Sequence, residues 1–230
     1  MRRASPQLAT LTRSVPAGAD WLHEIKFDGY RILAGLERGR VELVSRNGKD
    51  WTSRFPEVAE AVAALPIDDA LLDGEIVALE AGGRSSFRRL QEALSAARTR
   101  ALVYQVFDLL GVDGRDLTER MLVERKRALD ELLARAAPRA GRPVRYTEHV
   151  DGQGPALFAE ACRLGLEGIV SKRASARYRE GRSSQWLKIK CTRHEELVIG
   201  GFTEPTGSRS GFARCCSARG GTASSPMPAR

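Results

Sequence analysis

A lysine between two carboxylates is the residue of this chain best suited to chemistry. In the stretch WLHEIKFDGYR, Lys26 lies two residues after Glu24 and two before Asp28. The rough alternation of apolar and polar residues predicts a β-strand over 21–27, which places these three side chains on one face. Gly29 has no Cβ, so the chain can turn there close to whatever lies beside the lysine. The stretch therefore predicts an amine on a strand that ends in a tight turn.

The same pattern also describes an exposed edge strand, on which Lys26 only pairs with a carboxylate. A lysine amine is nucleophilic when it is neutral, and burial or nearby cations favour the neutral form. Neighbouring carboxylates have the opposite effect. The nucleophile hypothesis therefore requires basic groups or a metal near Lys26, which other parts of the chain must supply.

Four later stretches combine charged residues with apolar strand residues. They read LDGEIV, VFDLL, EGIVSK and WLKIK, and they contain Glu75, Phe107, Glu167, Lys172, Lys188 and Lys190. Taken singly, Phe107 is more typical of the hydrophobic core, and each charged residue is more typical of the solvated surface. Taken together, two carboxylates could hold a hard divalent cation, the lysines could grip a phosphate, and the aromatic ring could stack on a base.

The elements that position these residues predict an α+β fold, because strands occur in clusters rather than in strict alternation with helices. Residues 1–20 carry Pro6, Pro16 and Gly18 and are interpreted as an irregular lead-in. The longest helix is predicted over 118–137, with Thr118 as its N-cap. No apolar run is long enough to span a bilayer, so no membrane association is expected.

The charge and the cysteine content indicate which kind of partner and which cellular compartment to expect. Lys and Arg number 37 against 29 Asp and Glu, which gives a net charge of +8 and favours a polyanion such as nucleic acid. The four cysteines are Cys162, Cys191, Cys215 and Cys216. None forms a CxxC pair, so neither a zinc site nor a disulfide framework is predicted, and a reducing cytoplasm is the simplest interpretation.

The ordered motifs resemble those of the nucleotidyltransferase superfamily of ATP-dependent DNA ligases, RNA ligases and capping enzymes. KFDG looks like the nucleophile motif, SRNG at 45–48 looks like the next motif, and the four later stretches match in order. The strings HEIKFDGYR, LDGEIV, EGIVSKR and WLKIK are most similar to the ligase domain of bacterial LigD-type enzymes, which act in non-homologous end joining. The resemblance implies an ATP-grasp-like nucleotidyltransferase domain of antiparallel sheets packed with helices.

The resemblance also implies a mechanism and a role for each residue. Lys26 would attack the α-phosphorus of ATP and retain AMP, which would pass to a DNA 5′-phosphate and be displaced by a 3′-hydroxyl. In this mechanism, Glu24 would hold adenine, Phe107 would stack on the base, and Arg31 and Glu75 would contact the ribose. Phosphate oxygens would be bound by Lys172, Lys188 and Lys190, and the nucleotide or the DNA 5′-phosphate by Arg46. Glu75 and Glu167 would hold Mg²⁺.

The domain organisation expected from the resemblance departs from the family at the C-terminus. The adenylation domain is expected over 21–195, and 196–213 resembles the start of the OB-fold that follows it in such ligases. Residues 214–230 are mostly Ala, Arg, Gly, Ser, Thr and Pro and are predicted to be disordered. We hypothesise that a frameshift or truncation replaced the OB-fold, which predicts impaired ligation.

The implied partners are double-stranded DNA with nicks or ends and, in addition, end-joining proteins. The protein is expected to be a monomer in the bacterial cytoplasm, associated with the nucleoid. Two alternatives stay open. An RNA ligase or capping-type guanylyltransferase shares the lysine chemistry and differs in its preference for ATP or GTP. A non-catalytic DNA-end-binding module would bind DNA independently of Lys26 and ATP.

Overall fold

A computed structural model describes residues 4–136 and 143–191 in full, and the backbone of two further strands at 197–203 and 214–219. The chain divides into two compact units, Met1–Cys191 and Thr192–Arg230. None of the helices in the described part of the chain is both long and apolar enough to cross a membrane.

The strands and helices follow one another in a mixed order. The strands are β1 (Gln7–Leu11), β2 (Trp21–Ile25), β3 (Tyr30–Glu37), β4 (Arg40–Ser45), β5 (Asp69–Ala78), β6 (Leu102–Val112), β7 (Arg115–Asp116), β8 (Val144–Tyr146), β9 (His149–Asp151), β10 (Gly168–Arg173), β11 (Gly181–Lys190), β12 (Leu197–Thr203) and β13 (Arg214–Arg219). The helices are α1 (Pro56–Ala63), α2 (Phe87–Ser95), α3 (Leu122–Arg135) and α4 (Gly154–Arg163). The α+β class expected from the sequence is confirmed.

Two sheets build the first unit. One has the order β1-β11-β10-β2-β9, and the other has the order β4-β3-β5-β6-β7, with β8 also paired to β6. Most neighbours are antiparallel, as expected, but β1 runs parallel to β11 and β8 runs parallel to β6. The sheets are therefore mixed. In both parallel pairs, the partner strand lies far away in the sequence.

The main core lies between the second sheet and the helices. Strand β6 is buried along nearly its whole length, in keeping with its continuous apolar run. Helix α3 buries Leu122, Leu129 and Leu132 at helical spacing, together with two basic residues, Arg125 and Lys126. Burial of two cations on the core face of a helix requires that each has a partner. The partner of Arg125 is Asp108 of β6, and that of Lys126 is Glu24 of β2.

The lead-in and the start of the longest helix differ from the sequence prediction. Residues 7–11 form β1, whose pairing with β11 depends on residues more than 170 positions away. Helix α3 begins at Leu122 rather than at Thr118, because both the hydroxyl and the N–H of Thr118 donate to Asp116. The Glu124 side chain instead accepts a hydrogen bond from the N–H of Met121, at 2.9 Å.

The cysteine interpretation is wrong for one pair. Cys162 of α4 and Cys191, which follows β11, form a disulfide with their Cα atoms 5.3 Å apart. The two residues are separated by 29 positions, so only the packing of α4 against the sheet brings them together. Sequence spacing carries no signal for such a pair.

The second unit contains a two-stranded antiparallel sheet of β12 and β13, in which Leu197 pairs with Arg219 and Thr203 with Arg214. The segment 214–230 was predicted to be disordered, and the structure differs at 214–219. Ladder hydrogen bonds use backbone groups, so a strand can form without an apolar pattern. The remainder of the proposed OB-fold segment and of the tail, at 196, 204–213 and 220–230, and the end of the adenylation domain at 192–195, lie outside the described residues.

Candidate active site

The candidate nucleophile lies just past the end of β2. Lys26 follows Ile25, and its backbone N–H donates to the carbonyl of Gly168 on β10 at 3.0 Å. The turn that follows approaches β5 closely, since a Cβ on Gly29 would lie 2.2 Å from the carbonyl oxygen of Ile76. The close turn predicted at Gly29 is confirmed, and it fixes the direction in which the chain leaves Lys26.

One cavity of about 210 Å³ collects most of the candidate residues. It is lined by Glu24, Lys26, Arg31, Arg46, Glu75, Phe107, Lys172 and Lys188, all of which were selected from the sequence. These side chains come from both sheets of the first unit, or from turns that follow their strands. A cavity with convergent charged groups and an aromatic ring is typical of a site for a small charged ligand.

Two of the selected residues do not line the cavity but are connected to it. Glu167, immediately before β10, forms an ion pair with the Lys26 ammonium. The other carboxylate oxygen of Glu167 lies 3.1 Å from Nζ of Lys190, which is half-exposed at the end of β11. Glu167 therefore bridges Lys26 and Lys190.

One end of the cavity is organised around a buried carboxylate. Oε1 of Glu24 accepts a hydrogen bond from Nζ of Lys126 at 2.7 Å, and Oε2 lies 2.6 Å from Nζ of Lys172. All three residues are almost completely buried. Burial alone would raise the pKa of Glu24, but the two ammonium groups hold this pKa below its ordinary value. Glu24 is therefore a carboxylate, an acceptor of hydrogen bonds only.

Lys172 lines the cavity and is packed against a carboxylate and two aromatic rings. Its Nζ lies 4.1 Å from the ring centroid of Phe107 and 4.3 Å from that of Trp186, besides the contact with Glu24. Burial lowers the pKa of Lys172 to about 8, while Glu24 opposes this effect. Strand β10 thus places Lys172 beside Glu24 and the two aromatic rings, and its contact with phosphate stays a prediction.

Arg31 is held in place by a network that includes residues not selected from the sequence. Its guanidinium forms two hydrogen bonds to Asp73, of 2.5 and 2.7 Å, and lies 4.4 Å from the Phe107 ring centroid. The hydroxyl of Tyr178 also donates to Asp73, at 2.7 Å. The bidentate pair fixes the plane of the guanidinium beside Phe107.

The carboxyl group of Glu75 faces the same cavity from β5. Burial raises its pKa to about 7, and this effect exceeds the opposing effect of Arg31 and Lys26. The neighbouring carboxylates, including Glu167, contribute to the rise. The electrostatic repulsion between Glu75 and Glu167 would be reduced by a cation bound between or beside them.

The donor set suits a magnesium ion held partly by a substrate. The described residues contain no group of three or more His, Cys, Asp or Glu side chains placed to hold a metal by themselves. Mg²⁺ is commonly held by one or two carboxylates together with phosphate oxygens and water. Glu75 and Glu167 fit this arrangement, since Glu75 lines the cavity beside Lys26 and Glu167 forms an ion pair with Lys26.

The cavity lining also concentrates positive charge. Lys188, Arg46 and Arg182 line it together with Lys26. Burial lowers the pKa of Lys188, and Arg182 is the largest of the cationic contributions that add to this effect. Arg182 of β11 was not selected from the sequence, because several arginines precede it between 173 and 179 and no spacing distinguishes it from them.

Comparison with known proteins decides the family. The family model described as the ATP-dependent DNA ligase domain matches residues 6–190. The chain belongs to the ATP-dependent DNA ligase family. It is 42% identical over 205 residues to the multifunctional non-homologous end joining protein LigD of Pseudomonas aeruginosa, covering 89% of this chain and 24% of that protein. The resemblance to a LigD-type adenylation domain is thereby confirmed.

Two further relatives show how much of a ligase the chain represents. A solved mycobacterial DNA ligase D complexed with ATP and MES superposes with a TM-score of 0.68 at 35% identity, over 86% of this chain and 64% of that one. The SPbeta prophage-derived DNA ligase-like protein LigB of Bacillus subtilis is 31% identical over 220 residues, which cover 90% of this chain and 78% of LigB. This ligase domain thus spans about a quarter of the Pseudomonas LigD protein and most of the LigB protein.

Proposed function

We propose that this domain carries out lysine adenylylation in an ATP-dependent DNA ligase that seals nicks or ends in double-strand break repair. The observation that carries the proposal is the position of Lys26. Lys26 lines one cavity together with Glu24 and Phe107, which suit a base, and with Arg46, Arg182 and Lys188, which suit phosphates. A nucleotide bound in this cavity would present its phosphates to the lysine and the other cations.

The proposed reaction begins at the α-phosphorus of ATP. The neutral amine of Lys26 attacks this atom, a P–N bond forms, and the P–O bond to the leaving pyrophosphate breaks. The amine must lose a proton, and the Glu167 carboxylate, already paired with it, accepts this proton. The DNA 5′-phosphate then displaces the lysine and takes the AMP. Finally, the 3′-hydroxyl attacks the activated 5′-phosphorus, and AMP leaves.

The roles of the surrounding residues follow their positions. Glu24 accepts from adenine, Phe107 stacks on the base, and Arg31 and Glu75 contact the ribose. Positively charged groups stabilise the charge that develops on phosphate oxygens during transfer. Arg46 and Lys188 supply this charge, and Lys190 supports it through Glu167. A Mg²⁺ ion held by Glu75 and Glu167 would neutralise phosphate charge.

The partners and compartment are proposed on the same basis. The net charge of +8 suits nicked or broken double-stranded DNA. The LigD proteins that the chain matches are named for non-homologous end joining, so we propose that end-joining proteins deliver the DNA ends. We propose that the domain acts as a monomer in the bacterial cytoplasm, at the nucleoid.

Mass spectrometry tests the first step directly. The purified protein is incubated with ATP and Mg²⁺, beside Lys26→Met and beside Lys49→Met, which removes an exposed lysine of the β4 turn. We expect one adenylyl adduct on the parent and on Lys49→Met, and none on Lys26→Met. An adduct with GTP in preference to ATP would support the guanylyltransferase alternative.

A second measurement separates ligation from simple DNA binding. Sealing of a nicked duplex that already carries AMP on its 5′-phosphate tests the last step without the first. DNA affinity that is unchanged by ATP and by Lys26→Met, without any adduct or sealing, would support the non-catalytic module instead.

A further inference from the structure

Lys126 is a buried cation that does not line the cavity. It lies on the core face of α3, and its side chain is 1% exposed. Its Nζ donates to Oε1 of Glu24 at 2.7 Å and to the backbone carbonyl of Thr147 at 2.8 Å. It also lies 4.4 Å from the ring centroid of Tyr146. These contacts hold the ammonium between Glu24 on one side and Tyr146 and Thr147 on the other.

The surroundings of Lys126 leave it little freedom. Thr147 is itself fixed, because its N–H donates to the carbonyl of Val106 at 2.8 Å. Glu24 sits on β2 between Val170 of β10 and His149 of β9. The ammonium thus joins a rigid loop on one side to a rigid strand on the other. Its bond to Oε1 fixes the rotation of the Glu24 carboxylate.

The consequence concerns which base the cavity accepts. Glu24 lines the cavity. Each carboxylate oxygen can accept more than one hydrogen bond, so the two lysines leave lone pairs for a ligand. An ionised carboxylate accepts a hydrogen bond from an exocyclic amine and repels a carbonyl oxygen. At position 6 of a purine, adenine has the amine and hypoxanthine or guanine has the carbonyl.

We propose that Lys126 is a positioning residue that orients Glu24 as an acceptor for the 6-amino group of adenine and so determines the preference for adenine nucleotides. This inference rests on the proposed function, because it assumes that Glu24 meets the base of the nucleotide. Lys126 acts only through Glu24 and does not contact the ligand. Lys172, on the other oxygen, shares the task but also contacts Phe107 and Trp186, so its removal would disturb the stacking surface as well.

The test compares ATP with inosine triphosphate, which carries a carbonyl at position 6 and lacks the 2-amino group of guanine. Affinities are measured by calorimetry, and adduct formation is followed by mass spectrometry. Lys126→Met removes the charge and keeps the apolar stem. Arg127→Met is the matched control, because it removes a cation from the exposed face of the same helix. Glu24→Gln replaces the acceptor by a group that both donates and accepts.

The parent should bind ATP about tenfold or more tightly than inosine triphosphate, since a hydrogen bond to a charged group contributes to that extent. Lys126→Met and Glu24→Gln should each reduce this ratio towards one, whereas Arg127→Met should retain it. In the double variant Lys126→Met/Glu24→Gln, the ratio should equal that of Glu24→Gln alone. The double variant also removes the uncompensated carboxylate, so it can be measured even where Lys126→Met does not fold.

Three results would overturn the inference. These are an unchanged ratio in folded Lys126→Met, a ratio in the double variant that falls further than in Glu24→Gln, and a parent protein that does not discriminate or does not bind ATP. If the parent binds ATP selectively and forms no adduct, the proposed catalytic function fails while the role of Lys126 is still decided by the binding ratio.

Discussion

Arg125 and Asp108 form a bidentate ion pair in which both side chains are completely buried. Nε and one terminal nitrogen of Arg125 each lie 2.8 Å from a different oxygen of Asp108. The other terminal nitrogen donates to the carbonyls of Arg120 and Ala176. The pair joins α3 to β6 at the residue next to Phe107, so it connects the helix of Lys126 to the strand of the stacking ring.

Breaking this pair should be strongly destabilising. Arg125→Met leaves the Asp108 carboxylate buried without its cation, and removal of one partner of a buried pair typically lowers the free energy of unfolding by about 3–5 kcal/mol. The double variant Arg125→Met/Asp108→Asn should be less destabilised than Arg125→Met. Urea denaturation measures both differences. A loss of less than about 1 kcal/mol in the single variant would mean that the pair contributes only as an exposed one does.

The turn after Lys26 should not accept a Cβ. In Gly29→Ala, the new carbon would meet the carbonyl oxygen of Ile76 at 2.2 Å and the side chain of Val77 at 2.8 Å, so the backbone must move. We expect a lower melting temperature and a large loss of AMP adduct, because Lys26 is only three residues away. Gly82→Ala is the control: its φ of 90° is also unfavourable for alanine, but no atom lies within 4 Å of the added carbon. An unchanged adduct yield in Gly29→Ala would show that the close approach does not position Lys26.

The site was more predictable from sequence than the arrangement that supports it. Lys26, Glu24 and Glu75 could be selected because short motifs place a charged group inside an apolar strand. Lys126 and Arg125 could not be distinguished from the other basic residues of α3, since a lysine or arginine on a helix is normally exposed. Only the assembled sheets show that both lie on the core face. Local patterns therefore identify reactive groups, and tertiary contacts identify the groups that orient them.

Other features that depend on residues distant in the sequence were also not predictable from local patterns. Strand β1 has no pattern that separates it from a loop, and its pairing with β11 is set by distant residues. The position of Lys172 was also inferred from a motif, whereas its neighbours Glu24 and Phe107 come from two other strands. Antiparallel neighbours joined by short turns, such as β3 and β4, were predictable because the hairpin is local in sequence.

Stability should depend on pH through Glu75. Burial raises the pKa of this carboxyl in the folded state to about 7, above its ordinary value. Between these two values the folded state binds a proton that the unfolded state has released, so this group makes the free energy of unfolding fall as pH rises, and the loss is complete above about pH 7. Glu75→Gln cannot titrate. Relative to that variant, the parent should therefore be more stable at about pH 5 than at about pH 8.

Chemical denaturation at the two pH values, without nucleotide or Mg²⁺, measures this difference. The comparison with Glu75→Gln cancels the contributions of the other titrating groups. Asp116→Asn changes an exposed carboxyl that does not line the cavity, and serves as a control that should not reproduce the effect. A parent-to-variant difference that is the same at both pH values would contradict the raised pKa.

The disulfide between Cys162 and Cys191 should make stability depend on the redox conditions. It closes a loop of 29 residues between α4 and the last residue of the first unit. In the chain-entropy model, a loop of this length stabilises the folded state by about 3–4 kcal/mol, because it restricts the unfolded chain. We therefore expect dithiothreitol to lower the free energy of unfolding of the parent by roughly this amount, and to have no effect on Cys162→Ser. The double variant Cys215→Ser/Cys216→Ser should respond to reduction as the parent does. If reduction leaves the parent unchanged, or if the response disappears with Cys215 and Cys216, the pairing of Cys162 with Cys191 does not stabilise this domain.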